Sequence, residues 1–311
     1  MFLSSRQLPL TTHTILVGGR QQVKKVVKKH PVYYHYSVTE QVTKETSSPT
    51  DTITFLGTGG ARFMIISQVL ASGGLWFNLG DTEFIVDPGP GSIVRATQQK
   101  FNPENLSAVI VSHRHLDHAH DVNIMAEAMT RGGLRQQGRL FAPLEALETE
   151  PIILSYLRNR LESVEAFEAG KSYTFDNVTF STPVRHIHGV ENYGLVFKTP
   201  KHTIAYITDT RYFDDLPKYY QGDLLLLNVV FLKPFTEAEA RANNMPIDHL
   251  AVPDVERLVK EIKPKVAIMT HFGMGIWRAK PWLIAEQLTE KTGIKVIAAR
   301  DGMKFHLSEL D

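Results

Sequence analysis

The chain has 311 residues, 43% apolar and 22% charged, with 34 lysines and arginines against 33 acids. That length can bury a substantial core in one large domain or two small ones, and the near-zero balance excludes a strong overall field toward nucleic acid or an anionic membrane. Cysteine is absent, which excludes disulfides, thiolate metal sites and a cysteine nucleophile and fits an intracellular, cytoplasmic protein.

The first 50 residues stand apart. They carry Arg6, Arg20, Lys24, Lys25, Lys28, Lys29 and Lys44 against only Glu40 and Glu45, and they run into the linker-like "KETSSPTD". Residues 1–50 read as a basic N-terminal extension: an arm, a transit-like segment, a small hairpin around "PVYYHYSVTEQVT", or a start-site artefact. Residues 51–311 read as the folded domain. No apolar run in the chain approaches the ~20 residues that span a bilayer.

From Asp51, "TITFLGTGG" predicts a strand entering a tight glycine turn, and "LWFNLG" with "TEFIVDPGPG" predicts a hairpin. "SIVRATQQKF" is a short helix and "SAVIVS" a strand apolar on both faces. "DVNIMAEAMTRGG" is a helix whose Val122, Ile124, Met125, Ala128 and Met129 share about one face, closed by Gly132 and Gly133. "RLFAP" is a strand, and "LEALETEPIILSYLRNRL" is helical in two pieces split by Pro151. "VEAFEAG", "KSYTF", "VTFSTPVRH", "YGLVFKT" and "TIAYITD" are a series of short strands. "GDLLLLNVVF" is a buried strand, "HLAVPDVERLVKEIKP" an amphipathic helix, "VAIMTH" a strand, "KPWLIAEQLTEKTG" a helix, and "KVIAARDGMKFHL" closes with strands. This order predicts an α/β architecture of two packed sheets covered by helices.

The 13 histidines are not spread evenly. His113-Arg-His115-Leu-Asp117-His118 directly follows a buried strand. Alternation aims His113 and His115 to one side; the turn then lets Asp117 and His118 face a second point. Histidine and carboxylate without cysteine suit two divalent metal ions, Zn2+ foremost, with Mn or Fe compatible. Two such ions ~3.5–4 Å apart can share a hydroxide and hold both oxygens of a displacement. Further ligands stand at other strand ends: His186 and His188 in "VRHIHGVENYG", Asp209 in "AYITDT", and His271 in "VAIMTHFG".

Other residues read more plainly. His120 and Asp121 start the next helix as cap and first-turn acid. His202 and His306 are packing or surface residues. Trp277 and Trp282 pack or form an interface, although their segment is near enough to His271 to wall a pocket. Arg62 and Arg278 are solvated cations. "GTGG" lacks the lysine of a phosphate loop and reads as a tight turn beneath the metals.

Five features taken together resemble the metallo-β-lactamase superfamily over residues 51–311. They are Asp87 in "IVDPGPG", the H-x-H-x-D-H stretch, a following lone histidine, the aspartate of "ITDT" and a final histidine after a strand. The resemblance implies an αββα sandwich of two mixed sheets flanked by helices. It implies that His113, His115 and a third-motif histidine hold one metal, Asp117, His118 and His271 the other, and that Asp209 bridges them. His188, six residues before Gly194, suits the third-motif position better than His186, which is then expected to line the cleft. Asp87 is expected to orient the histidine loop from behind.

"FLGTGG" and "DHLAVPDVERL" with "THFG" further resemble the ribonuclease Z-like phosphodiesterase branch, where a histidine ahead of a helix is a further catalytic group. Here that is His249, 22 residues before His271. The function implied is a dinuclear metal-dependent hydrolase in which a bridging hydroxide attacks a phosphodiester, with Asp117 and His249 in catalytic roles. The substrate expected is a small-molecule or nucleotide phosphodiester, with nucleic acid compatible, a homodimer compatible and no membrane partner.

A lactone, thioester or β-lactam is the alternative substrate, and a metal-stabilised nucleic-acid-binding protein the non-enzymatic alternative. A flavodiiron oxidoreductase is opposed by His115, where that branch uses glutamate. Two departures separate the chain from tRNA 3′ processing. Asn228 stands where an acid orients the catalytic histidine, leaving Asp248 as a substitute, and no long Gly/Pro-rich tRNA-gripping arm is present.

Overall fold

The computed structural model describes residues 51–236, 238 and 248–311, so the expectations for residues 1–50 lie outside the described residues. The first part of the chain lays down β1 (Thr52–Phe55), α1 (Arg62–Ser67), β2 (Leu75–Leu79), β3 (Thr82–Val86), α2 (Ser92–Gln98), β4 (Leu106–Ile110), α3 (Leu116–Ala119), α4 (Val122–Met129), β5 (Arg139–Ala142), α5 (Ser155–Arg158) and β6 (Ser163–Ala166). There follow β7 (Lys171–Phe175), β8 (Val178–Thr182), β9 (Leu195–Lys198), β10 (Thr203–Ile207), α6 (Leu216–Tyr219) and β11 (Leu224–Phe231). The chain ends with β12 (Leu250–Ala251), α7 (Val252–Ile262), β13 (Val266–Thr270), α8 (Met274–Arg278), α9 (Pro281–Thr292), β14 (Lys295–Ala298) and β15 (Lys304–His306).

Among the described residues these strands form two mixed sheets. The first has the order β15-β1-β2-β3-β4-β5-β6; the second has the order β14-β13-β11-β10-β9-β8-β7, with β12 added beside β11. β3, β4, β5 and β6 run parallel, as do β10, β11, β13 and β14, while the hairpins β1–β2–β3 and β7–β8–β9–β10 are antiparallel.

The layering follows from side-chain alternation. In β11, Leu224 and Leu226 enter the layer between the sheets, while Leu225, Leu227 and Val229 turn outward under helices. A strand buried on both faces needs a continuous apolar run, which is why "LLLLNVVF" breaks the usual alternation. The inter-sheet layer is aromatic: Phe77 stacks on Phe84 at 4.8 Å, and Phe84 meets the edge of Phe175 at 5.3 Å. Outside the first sheet, α4 buries Val122, Met125, Ala126 and Met129 against Val109, Val111 and Leu140. Outside the second, α7 buries Val255, Leu258, Val259 and Ile262. Pro253 stands in its first turn, and Asp254 accepts the Ala251 N–H at 2.8 Å.

Several local features depart from the sequence reading, among them the apolar face of α4, which buries Ala126 and leaves Ile124 exposed. "LEALETEPIILSYLRNRL" forms only a wide turn at Glu145–Thr149 and the single turn α5, because Pro151 blocks continuation and both pieces are too short to propagate alone. Periodicity does not mark α1 or α8; each is under two turns long, and α1 leaves Phe63 and Ile66 exposed. No described helix is long and apolar enough to cross a membrane.

Candidate metal centre

The functional side chains gather beyond the carboxyl ends of parallel strands, where open α/β sheets form their crevices. His113 lies three residues beyond β4, Asp209 two beyond β10 and His271 one beyond β13. His188 comes from the loop between β8 and β9. All seven ligand candidates, His113, His115, Asp117, His118, His188, Asp209 and His271, meet in one cluster.

His113, His115 and His188 form one group and Asp117, His118 and His271 a second; Asp209 joins His113 and His118 in a third that overlaps both. Within the first, His113 Nε2 is 3.0 Å and His188 Nε2 3.1 Å from His115 Nδ1. Within the second, His271 Nε2 lies 3.0 Å from His118 Nε2 and 3.2 Å from Asp117 Oδ2. Asp209 Oδ2 is 3.4 Å from His118 Nε2 and 3.9 Å from His113 Nε2.

The surroundings hold each ring in place. Asp87 accepts the Ser112 N–H at 2.6 Å and the Ser112 hydroxyl at 2.8 Å, and its Oδ2 lies 3.0 Å from His118 Nδ1. A carboxylate on Nδ1 puts the proton there and frees Nε2. Ser112 Oγ also lies 3.0 Å from His113 Nδ1. The Ala61 N–H donates to Asp117 Oδ2 at 3.1 Å, and a Cβ on Gly60 would collide with the His271 ring. The glycine turn therefore does lie against the cluster. Three non-glycine residues here adopt left-handed backbone: Ala61 at φ 66°, Asp87 at 53° and His271 at 58°. Such strain persists only where the surroundings over-determine it.

The electrostatics ask for cations. Burial, with His118 nearby, holds His113 well below the usual histidine range, and burial with His188 lowers His115 to about 4. Burial opposes ionisation of Asp117 and Asp209. Even so, His118 and a bond from His271 keep Asp117 ionised, and His271, His249 and His118 keep Asp209 ionised, both well below the carboxylate range. Burial opposes a charge on His118 too, but Asp117, Asp87 and Asp209 raise it well above the histidine range. Imidazole nitrogens converging on one another beside buried, ionised carboxylates are a donor set for His/Asp-ligated divalent metals. The residues fit that group.

His186 does not line the cleft. It is buried behind it, with Nε2 2.6 Å from the Tyr220 hydroxyl and Nδ1 3.1 Å from Thr208 Oγ1, and burial lowers it to about 3. Asn228 does not face His249. It accepts from the Tyr206 hydroxyl and donates to Asp209 Oδ1 at 3.0 Å, so it orients the central aspartate. Asp248 acts through its backbone: its carbonyl lies 3.0 Å from His188 Nδ1. Asp121 sits at the start of α4, yet its side chain accepts the Ile93 N–H of α2 at 3.1 Å, and His120 is an exposed neighbour 3.0 Å from it.

His249 stands at the cluster's edge. Its ring is 5.2 Å from His188 and its Nδ1 3.5 Å from Asp209 Oδ2, with no hydrogen-bond partner for that nitrogen among the described residues. Burial lowers it to about 4 against the pull of Asp209, so it is neutral rather than protonated at pH 7. The sequence pattern does not mark Ser112, Tyr206, Asn192 or Tyr220. Their polar groups are spent on the cluster's supports, and no spacing rule marks such partners.

Trp277 and Trp282 make an edge-on pair at 6.1 Å and line a largely apolar cavity of about 820 Å³ behind the glycine turn. Arg62 and Arg278 are exposed. His202 is buried 3.1 Å from Asp311, and His306 is exposed.

The fold and this donor set define a metal-dependent hydrolase of the metallo-β-lactamase fold. A family model described as the Beta-lactamase superfamily domain matches residues 82–272, and the chain belongs to that family. It is 32% identical over 265 residues to the uncharacterized protein MJ1374 of Methanocaldococcus jannaschii, across 82% of this chain and 94% of that one. The solved metallo-beta-lactamase fold protein YhfI of Bacillus subtilis is 21% identical with a TM-score of 0.66, over 82% of this chain and 99% of that chain. The short form of human tRNase Z is 16% identical with a TM-score of 0.55, over 82% and 98%. This class removes the non-enzymatic alternative.

Proposed function

We propose that the protein is a dinuclear metal-dependent phosphodiesterase acting on a small-molecule or nucleotide phosphodiester. The observation that carries the reading is that two ligand groups, His113–His115–His188 and Asp117–His118–His271, lie on either side of one shared carboxylate, Asp209. A site for two neighbouring cations suits a phosphodiester, whose two non-bridging oxygens share one negative charge and whose leaving oxygen gains charge as the bond breaks. When bound, such ions, Zn2+ by ligand chemistry, supply Lewis acidity and lower the pKa of coordinated water. The likeness to tRNase Z in fold supports phosphorus rather than carbon as the target.

The chain's own residues do the rest. Asp87 keeps the His118 proton on Nδ1. The Ala61 N–H and Asn228 fix the carboxylates of Asp117 and Asp209. Neutral His249, whose buried Nδ1 has no hydrogen-bond partner among the described residues, offers an N–H toward charge growing on a leaving oxygen. The basic residues 1–50 add phosphate contacts where the substrate is nucleic acid. The cysteine-free composition supports a cytoplasmic location.

The test is metal analysis of the purified protein followed by one substrate panel: a bis-aryl phosphodiester, cyclic nucleotides, a lactone and a thioester. Two divalent ions per chain and turnover of a phosphodiester are expected. Turnover of the lactone or thioester alone would replace this reading with a carboxyl-ester hydrolase.

A further inference from the structure

The histidines of the first group come from different sheets. His113 and His115 follow β4 of the first, and His188 precedes β9 of the second. Their spacing is set by whatever ties these loops together. One tie is a backbone bond from Tyr193 N–H to the Ser112 carbonyl at 3.3 Å. Another is a clasp of charged side chains.

Glu145, in the turn after β5, donates its N–H to Glu191 Oε2 at 2.8 Å. Glu191 returns its own N–H to Glu145 Oε2 at 2.6 Å. The second oxygen of Glu145 accepts from Arg114 Nε at 2.7 Å, and the second oxygen of Glu191 accepts from the Tyr193 hydroxyl at 2.9 Å. Arg114 sits between His113 and His115, and Glu191 lies three residues after His188. Two carboxylates side by side repel, and ordinary surface ion pairs contribute little. Here every oxygen faces a donor, two of them backbone N–H groups, so the pair has one geometry. That geometry fixes loop to loop.

We infer that Glu145 and Glu191, acting through Arg114, are positioning residues that set the His113–His115–His188 group without touching it. The inference rests on reading that group as a metal site. Its signature is selectivity: losing the clasp weakens the first group and leaves Asp117–His118–His271 unchanged, because those ligands hang from Asp87 and the glycine turn.

The experiment is Co2+ titration of the full-length protein, followed by visible absorption, in two single-site backgrounds. His271→Ala isolates the first group and His115→Ala the second. Glu145→Ala is expected to weaken Co2+ binding about 10–100-fold in the first background, the usual range for a ligand's supporting partner, with a shifted absorption band. In the second background the change is expected to stay under about 2-fold. An equal loss in both backgrounds from variants that remain folded by circular dichroism overturns the inference. So does unchanged binding in the first background.

Glu145→Gln keeps an acceptor for the Glu191 N–H and loses the Arg114 arm. It is expected to give a smaller loss in the first background only, and it carries the test by itself if the alanine variant does not fold. Wild-type protein that takes up no Co2+ would overturn both the metal reading and the clasp. Wild-type protein that fills both groups while Glu145→Ala titrates normally would overturn the clasp alone.

Discussion

The two halves of the cluster are built differently. The Asp117–His118–His271 half is fully buried and held by backbone: an N–H on Asp117, strained φ at Ala61 and His271, and a glycine turn pressed on the His271 ring. The His113–His115–His188 half is all nitrogen, with His115 and His188 partly exposed. It joins two sheets and depends on side chains for its spacing. Both halves join the two sheets, since His271 follows β13 of the second; the first-named half is set by backbone bonds and tight turns, the other by the side chains of the loops that meet there. The buried half holds a carboxylate of its own, while the all-nitrogen half is partly exposed at His115 and His188.

Removing a ligand should have the largest effect. Asp117→Ala or His118→Ala is expected to cut turnover by more than about 100-fold, beyond the range seen for supporting residues, in a kcat/KM assay on the substrate identified by the panel. Retained turnover would remove the second group from the chemistry.

Next comes Asp87→Asn, which loses one anionic acceptor for Ser112 and His118. A drop of about 10–100-fold in metal affinity is expected by calorimetry, concentrated in the Asp117–His118–His271 half. An equal loss in both halves would blur the contrast.

Asp301→Ala probes the buried half from a distance. Its carboxylate accepts the Thr58 N–H at 2.9 Å, the Thr58 hydroxyl at 2.7 Å and the Ala71 N–H at 2.8 Å, which pins the glycine turn. Each lost partner of a buried group costs about 1–3 kcal/mol, so a clear fall in the denaturation midpoint is expected, together with weakened metal binding in the second group alone.

A smaller, pH-dependent effect belongs to the partly exposed half. Burial opposes ionisation of Glu145, but the Glu191 N–H and Arg114 hold its carboxyl below the usual range. A depressed acid contributes stability above its unfolded pKa and loses it as pH falls through the folded one. The gap in urea midpoint between wild type and Glu145→Gln should therefore be present at pH 7 and shrink as the pH drops through the carboxylate range. A gap that stays constant with pH would mean the charge does not matter. Last, Arg62→Ala and Arg278→Ala should change stability by less than about 0.5 kcal/mol, as exposed cations do.

The cluster was legible because metal ligands repeat at fixed spacing after apolar strands, and a cysteine-free chain leaves only histidine and carboxylate for the work. The supports were not. Asn228 looked like a partner for His249 because it lies in the right strand, but the pleat aims it at Asp209. Asp248 suggests a carboxylate partner by its place in sequence and contributes its carbonyl instead. His186 and His188 share one alternation, and only packing sends one to Tyr220 and the other to His115.

The sequence by itself determined the layering and the ligand types, since apolar periodicity and donor chemistry are local properties that survive without coordinates. Tertiary structure alone decided which histidine of a pair reaches the site and which carbonyl orients it. It also decided that two glutamates 46 residues apart grip each other's backbone across the sheets. Hydrogen bonds between loops depend on angles and distances of a few tenths of an ångström, which no spacing along the chain encodes.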